Sequence, residues 1–238
     1  MKVLNSVNFD NRTGAKIKYL IMHYTGMING ANALEKLCDP KSKVSAHYLV
    51  EENGQVYQLV NEQKRAWHAG VAKWEDDEDI NDISIGIEIV NSGHAYAGYE
   101  SVYKAFPEVQ MAQVIGLAQK IINRHKIKRH YVLGHSHVPW RRKIDPGELF
   151  DWKKLSQNGV GVWPTSSSEG VKIKVDLSNF LRQLKTFGYD VDFEKDPSET
   201  ITAFQRHFRQ DNINGQLDKE TMWRLLSLIK QKSVNIRL

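Results

Sequence analysis

Residues 83–91 read ISIGIEIVN. Isoleucine recurs at every second position, the period of a β-strand, so Ile83, Ile85, Ile87 and Ile89 share one face and Ser84, Gly86, Glu88 and Val90 the other. A carboxylate inside so apolar a strand is costly to bury unless it is paired, protonated or close to a metal. The plain alternative is an edge strand that leaves Glu88 in water.

Outward from this strand the chain mixes strands with helices. KYLIMHYT (18–25) has the length and composition of a buried strand. AHYLV (46–50) and QVYQLV (55–60) are two more, joined by EENG, whose Asn53-Gly54 pair suits a tight hairpin turn. Beyond Pro107, the residues Val114, Leu117, Ala118, Ile121 and His125 recur at helical spacing, and HYVLGHS (130–136) supplies a further short strand. Together these elements predict an α/β domain with a central mixed β-sheet flanked by helices.

WPTSSSEG (163–170) combines Pro, Ser and Gly without periodicity and reads as a linker. It divides the chain into residues 1–162, the linker 163–170 and a helical part, 171–238. In that last part Leu177, Phe180, Leu181, Leu184 and Phe187 form one apolar stripe that Gly188 ends. Asp196-Pro197-Ser198-Glu199 offers an Asp N-cap, Pro at the first helical position and Glu at the third, ahead of Ile201, Phe204 and Phe208. Asp218 is placed to cap a third helix carrying Met222, Leu225, Leu226 and Ile229. The expectation is a small three-helix bundle without a catalytic cluster.

At 238 residues, 41% hydrophobic and 26% charged, the chain can build a proper core. No window approaches the roughly 20 apolar residues of a transmembrane helix. The start, MKVLNSVNFDNRTGAKIK, lacks the apolar region of a secretory signal. The net charge of +5 is spread out, and KIKRH and WRRK are too short to argue for a nucleic-acid partner. The single cysteine, Cys38, excludes an internal disulfide and shares the apolar register of Leu34 and Leu37, as a buried thiol would. The acidic run WEDDEDIND (74–82) reads as a solvated loop.

Of the nine histidines, His94, His125, His130 and His207 read as ordinary hydrogen-bonded residues. His23 stands apart because it ends an apolar strand, where sheet enzymes carry their sites. GHSHVPWRRKIDPG (134–147) then packs two histidines, a lysine and an aspartate into a short span. A catalytic zinc takes three protein ligands and keeps one open position. His23 and one member of the His135/His137 pair can supply nitrogen, and Asp145 oxygen. Glu88 then stays free as a proton acceptor, and Lys143 is placed to offset negative charge on an attacked carbonyl. On an extended segment His135 and His137 point to the same side, so a rival site that uses both is open as well.

LIMHYTG, VSAHYLVEENGQVYQLV, RAWHAG, NDISIGIEIVN and GHSHVPWRRKIDPGELFDW, in that order over residues 17–152, resemble the type 2 N-acetylmuramoyl-L-alanine amidases. AWHAGVAKW and the trailing helices make the AmiD-like group the nearest match. The resemblance implies a zinc enzyme that cuts the amide between muramic acid and the first L-alanine of the peptidoglycan stem, acting on peptidoglycan or muropeptides. Carried over, it makes His23, His135 and Asp145 the zinc ligands, Glu88 the catalytic carboxylate and Lys143 the oxyanion stabiliser. The family usually has Asp where this chain has His137. Trp67 and His68 are candidate groove residues, and His47 a support for the site or the hairpin. AFQRHFRQDNINGQLDKET (203–221) resembles a peptidoglycan-binding domain of the three-helix type, implying a wall anchor and work in the bacterial cell envelope or periplasm, with the cytoplasm left open by the lack of a secretory signal. The alternative on the same fold is a non-catalytic peptidoglycan recognition protein, which typically lacks a zinc ligand.

Overall fold

The computed structural model describes residues 1–96, 98–165 and 172–234. The strands are β1 (Lys2–Val3), β2 (Phe9–Asn11), β3 (Tyr19–Tyr24), β4 (Tyr48–Val50), β5 (Val56–Gln58), β6 (Lys64–Ala66), β7 (Ser84–Ile89) and β8 (Val132–Gly134). The helices are α1 (Gly30–Cys38), α2 (Glu108–His125), α3 (Trp152–Gln157), α4 (Leu177–Phe187), α5 (Ser198–Phe208) and α6 (Lys219–Val234). Six strands form one mixed sheet in the order β1-β5-β4-β7-β3-β8, and β2 pairs with β6 apart from it. The expected α/β fold with a mixed sheet is therefore the observed one.

The opening stretch lies at the centre of this sheet. β7 runs parallel to both β3 and β4, and β8 runs parallel to β3 on its other side. Parallel strands are joined by crossovers and buried on both faces, which is why these segments are almost wholly apolar. Ile85, Ile87 and Ile89, with Leu20 and Met22 of β3, pack under Met111, Val114, Ile115, Ala118 and Ile121 of α2. Ile83 does not join them: it ends a 3-10 turn, Ile80–Ile83, and packs with the opposite cluster, because the strand period begins only at Ser84. The reading of Glu88 as an edge residue fails for the same topological reason, since β7 has a partner on each side.

The other face of the sheet is covered by the C-terminal helices. Tyr19, Ile21 and Leu133 share one buried cluster with Trp74, Phe180, Leu184, Phe204, Phe208 and Leu225. Gly188 ends α4 at φ +140, and a Cβ there would lie 2.2 Å from Trp74, so only glycine lets the chain turn this close to the buried indole. The caps follow the sequence closely. Asp176 Oδ1 accepts from Asn179 N–H, Asp218 Oδ1 from Thr221 N–H, and Asp196 Oδ1 from Ser198 N–H, with α5 starting one residue later than expected. Leu177, at the first position of α4, remains 44% exposed and is not part of the stripe that the other four residues bury.

Most of the expected linker, residues 166–170, lies outside the described residues. Its first part is held against α6: Thr165 N–H meets Ser227 Oγ and Gln231 Nε2–H donates to the Trp163 carbonyl. The acidic run is solvated only in part: Asp76, Glu78 and Asp79 are exposed, but the rest is packed. Trp74 and Ile80 are fully buried, and Asp77 accepts from Lys18 and Tyr19 while Glu75 pairs with Lys18 and Lys232. Glu75 and Asp77 thus face cations and a phenol from other segments, which the local sequence could not reveal. Cys38 is half-buried beside Leu34, somewhat more open than expected. No helix among the described residues is long and apolar enough to cross a membrane.

Candidate active site

Three parallel strands end on one side of the sheet, and each brings a functional side chain to that end. His23 of β3 lies directly beside Glu88 of β7 in the strand register. Gly134 closes β8 beside Met22, so His135 emerges next to His23. Asp145 reaches the same place from the loop beyond, held there as its carbonyl accepts from Ser136 N–H at 2.8 Å. Donor atoms of His23, His135 and Asp145 all lie within 4.8 Å of one another, the only such group among the described residues. The C-terminal ends of parallel strands are where open sheets carry their sites.

The geometry around these three fits a metal. His23 Nδ1 and His135 Nδ1 approach the same oxygen, Asp145 Oδ2, at 3.2 and 3.1 Å. Their other nitrogens are occupied: His135 Nε2–H donates to the Ala69 carbonyl at 3.2 Å, and His23 Nε2–H to His68 Nδ1 at 3.0 Å. Such outer contacts fix the tautomer that leaves Nδ1 a free lone pair. Burial, together with the neighbouring His135, lowers His23 to about 4, so it stays neutral as a ligand must.

Glu88 lines the same groove, and its Oε2 is a buried oxygen with no hydrogen-bond partner. Burial, then the charge of Asp145, raises it well above an ordinary carboxyl, with Lys143 pulling the other way. The groove holds about 490 Å³ and is also lined by Lys36, Trp67, Arg142 and Lys143. Lys143 is exposed at its mouth. Trp67 is half-buried, its Nε1–H donating to Asp10 Oδ2 at 2.7 Å. A deep carboxyl of raised basicity therefore faces a cluster of three donors across a solvent-connected groove.

His68 lines the groove and also supports His23. Its ring is buried, with Nδ1 taken by His23 and Nε2 by Ser84 Oγ at 3.1 Å, which leaves no polar atom for a substrate. It lies flat over Gly86, where a Cβ would come within 2.5 Å of the imidazole. The glycine in ISIGIEIVN is thus the opening through which His68 reaches His23, a signal that a glycine inside a central strand carries. We expect His68→Ala to weaken metal binding by about 10- to 100-fold, measured by chelator competition. An unchanged affinity would remove His68 from the support of His23.

His135 and His137 do not share a side. They lie on a 3-10 turn, His135–His137, and not on an extended segment, so the two rings diverge. His137 Nδ1 accepts from Gly134 N–H at 2.8 Å, and its Nε2–H donates to His207 Nδ1 of α5 at 2.9 Å. The three-donor group among the described residues contains His135 and not His137. His207, read from sequence as an ordinary residue, stacks on Trp152 with ring centroids 3.9 Å apart. His47 ties β7 to β6: its Nδ1 accepts from Gly86 N–H and its Nε2–H donates to the Lys64 carbonyl.

These buried rings make the fold acid-sensitive. Burial drives His137 down to about 3, and burial with the adjacent Arg12 does the same to His47. In the unfolded chain both return towards 6.5. Between those values the unfolded chain binds more protons, so stability is complete above pH 6.5 and falls as the pH drops through this window. We expect the unfolding free energy from urea titration to fall from pH 7.5 to pH 5, by up to about 2 kcal/mol for each such histidine, with the midpoint falling in step. A midpoint that does not move would mean that these rings charge without unfolding.

Residues 13–148 match the family model described as N-acetylmuramoyl-L-alanine amidase. The chain is 38% identical over 223 residues to N-acetylmuramoyl-L-alanine amidase AmiD of Escherichia coli K12, covering 87% of this chain and 80% of that protein. The structure of E. coli AmiD in complex with the substrate anhydro-N-acetylmuramic acid-L-Ala-D-γ-Glu-L-Lys superposes with a TM-score of 0.82 at 36% identity, over 93% of this chain and 92% of that one. AmpDh3 of Pseudomonas aeruginosa, in complex with an anhydromuramic pentapeptide, gives a TM-score of 0.83 at 29% identity, over 98% and 99%.

Proposed function

We propose, since this chain belongs to the N-acetylmuramoyl-L-alanine amidase family, that His23, His135 and Asp145 hold a zinc ion and that Glu88 is the catalytic carboxylate. The protein hydrolyses the amide between N-acetylmuramic acid and L-alanine in peptidoglycan or muropeptides. The observation that carries the residue assignment is the meeting of that three-donor cluster with the unpartnered carboxyl of Glu88 in one groove.

Bound there, zinc supplies Lewis acidity, activating water and the scissile carbonyl at neutral pH. The protein does the rest. Glu88 Oε2 has no internal hydrogen bond to give up and a raised pKa, so it is a stronger base than an ordinary carboxylate. It takes a proton from the attacking water and returns it to the L-alanine nitrogen as the C–N bond breaks. Lys143 offsets the charge that develops on the carbonyl oxygen. His68 and the Ala69 carbonyl keep the two imidazoles turned inward. Trp67 forms part of the wall against which the substrate lies.

Helices α4–α6 are read as a peptidoglycan-binding module, with the division at residues 163–170 separating it from the catalytic part. Such a module raises the local concentration of wall substrate, which places the enzyme's work in the cell envelope. The experiment is mass spectrometry of peptidoglycan fragments after incubation with the protein, with and without a zinc chelator. Intact stem peptides beginning at L-alanine should appear, vanish with chelator and return with zinc. Wall binding without released peptide would instead identify a recognition protein, and release that ignores the chelator would remove zinc.

A further inference from the structure

We propose that α5 is a working part of the catalytic unit, and that Arg206, through Glu148 and His94, is a positioning residue for the groove and the Asp145 loop. This rests on the amidase reading above and adds a role for the helical module that tethering does not require.

The contacts form a continuous chain. Arg206 Nε of α5 lies 3.6 Å from Glu148 Oε2. The two Glu148 oxygens accept from His94 Nε2–H at 3.0 and 3.2 Å. With the proton fixed on Nε2, His94 Nδ1 accepts from the Tyr24 hydroxyl at 3.2 Å. Tyr24 directly follows His23, and Glu148 lies just beyond Asp145. The supports of two ligand candidates from distant parts of the chain are thereby tied together, and the tie is anchored on the C-terminal bundle. Arg206 supplies the charge that faces Glu148, and Glu148 in turn sets the tautomer of His94.

Steric fit makes this chain rigid. Gly93 and Gly147 have φ of +70 and +83. A Cβ at Gly93 would lie 2.6 Å from the Tyr24 ring, and one at Gly147 would lie 2.3 Å from the Tyr103 hydroxyl and 2.9 Å from His94. Tyr103 O–H donates to the Pro146 carbonyl at 2.8 Å, and its ring lies 4.1 Å from that of His94. His94 also lines the groove, so the same contacts that brace Asp145 shape the groove wall. Two other bonds from α5 and the turn just after it land near this segment: the His137–His207 pair from α5, and Gln210 Nε2–H on the Phe150 carbonyl at 2.7 Å. A module that served only to hold the enzyme on the wall would need a linker and nothing more.

The test uses the full chain, zinc and a soluble muropeptide, which needs no wall tether. Arg206→Ala and Glu148→Gln should each weaken zinc binding, measured by chelator competition, and raise KM by about tenfold. At saturating zinc and substrate, kcat should stay within about twofold. Arg206→Lys, which keeps the charge, should recover part of both effects. The double variant Arg206→Ala/Glu148→Gln should be no worse than its weaker parent, because the two act as one unit. If Arg206→Ala fails to fold, the isosteric Glu148→Gln carries the test alone. Zinc affinity and KM unchanged in folded variants, with only wall binding reduced, would overturn the proposal. So would losses that add in the double variant and are not recovered by lysine. Failure of the amidase reading itself is separate, because the wild-type chain would then release no peptide.

Discussion

Glu88→Ala is expected to lower kcat on a muropeptide by about three orders of magnitude, the middle of the range for a general acid–base group. Zinc content should stay at the wild-type level. The expectation rests on the isolation of Glu88. Its Oε2 has no partner and it is not one of the three clustered donors, so its removal breaks neither a hydrogen bond nor a ligand. Removing a deep carboxyl that burial already disfavours should leave the thermal midpoint equal to or above that of the wild type. Glu88→Gln separates shape from chemistry, since the amide fills the same space and cannot take a proton. Both variants should therefore be folded, metal-loaded and nearly inactive. Turnover within a few-fold of wild type in either one would mean that the proton is carried elsewhere. Activity lost together with zinc would mean that Glu88 belongs to the metal set after all.

Much of this site was legible because local patterns act over the distances at which sequence is read. The period-two isoleucines defined β7 and set Glu88 on the face opposite α2, and the burial of β3 followed from its unbroken apolar run. What the pattern could not supply was the neighbour of each strand. A half-polar strand is compatible with an edge or a centre, and only the pairing of β7 with both β3 and β4 removes the edge. Gly86 was visible as a glycine inside a strand, yet its meaning depends on His68, which arrives from a distant loop. Histidines 137 and 207 share a hydrogen bond across 70 positions, a separation no local periodicity spans. The acidic run misled in part for a related reason: two charges that look solvated in sequence, Glu75 and Asp77, face Lys18, Tyr19 and Lys232 from two other segments. The ligand candidates were found by resemblance; their residue types alone left His135 and His137 open.

That choice yields the second large effect. His23→Ala and Asp145→Ala should each abolish stoichiometric zinc and with it measurable turnover, whereas His137→Ala should keep the metal. A three-ligand site that loses one ligand retains two, and catalytic zinc sites are built on three. His23 is also the ring that His68 orients, so its loss removes the purpose of both the Gly86 opening and the Ser84 contact. His137 faces away: its nitrogens serve Gly134 N–H and His207, and its ring lies among Trp74, Trp152 and Phe208. His137→Ala should therefore cost stability, about 1–3 kcal/mol for the donor and acceptor left unpaired. Activity should persist at temperatures where the variant is folded. An aspartate in its place could still accept from Gly134 N–H, but it would set a buried carboxylate against His207, whose Nε2 has no partner. The imidazole at 137 is thus matched to the helix behind it, while the metal set is matched to the sheet in front. Metal analysis of the three alanine variants separates the two roles. Zinc lost from His137→Ala but retained by Asp145→Ala would redraw the ligand set around the 3-10 turn.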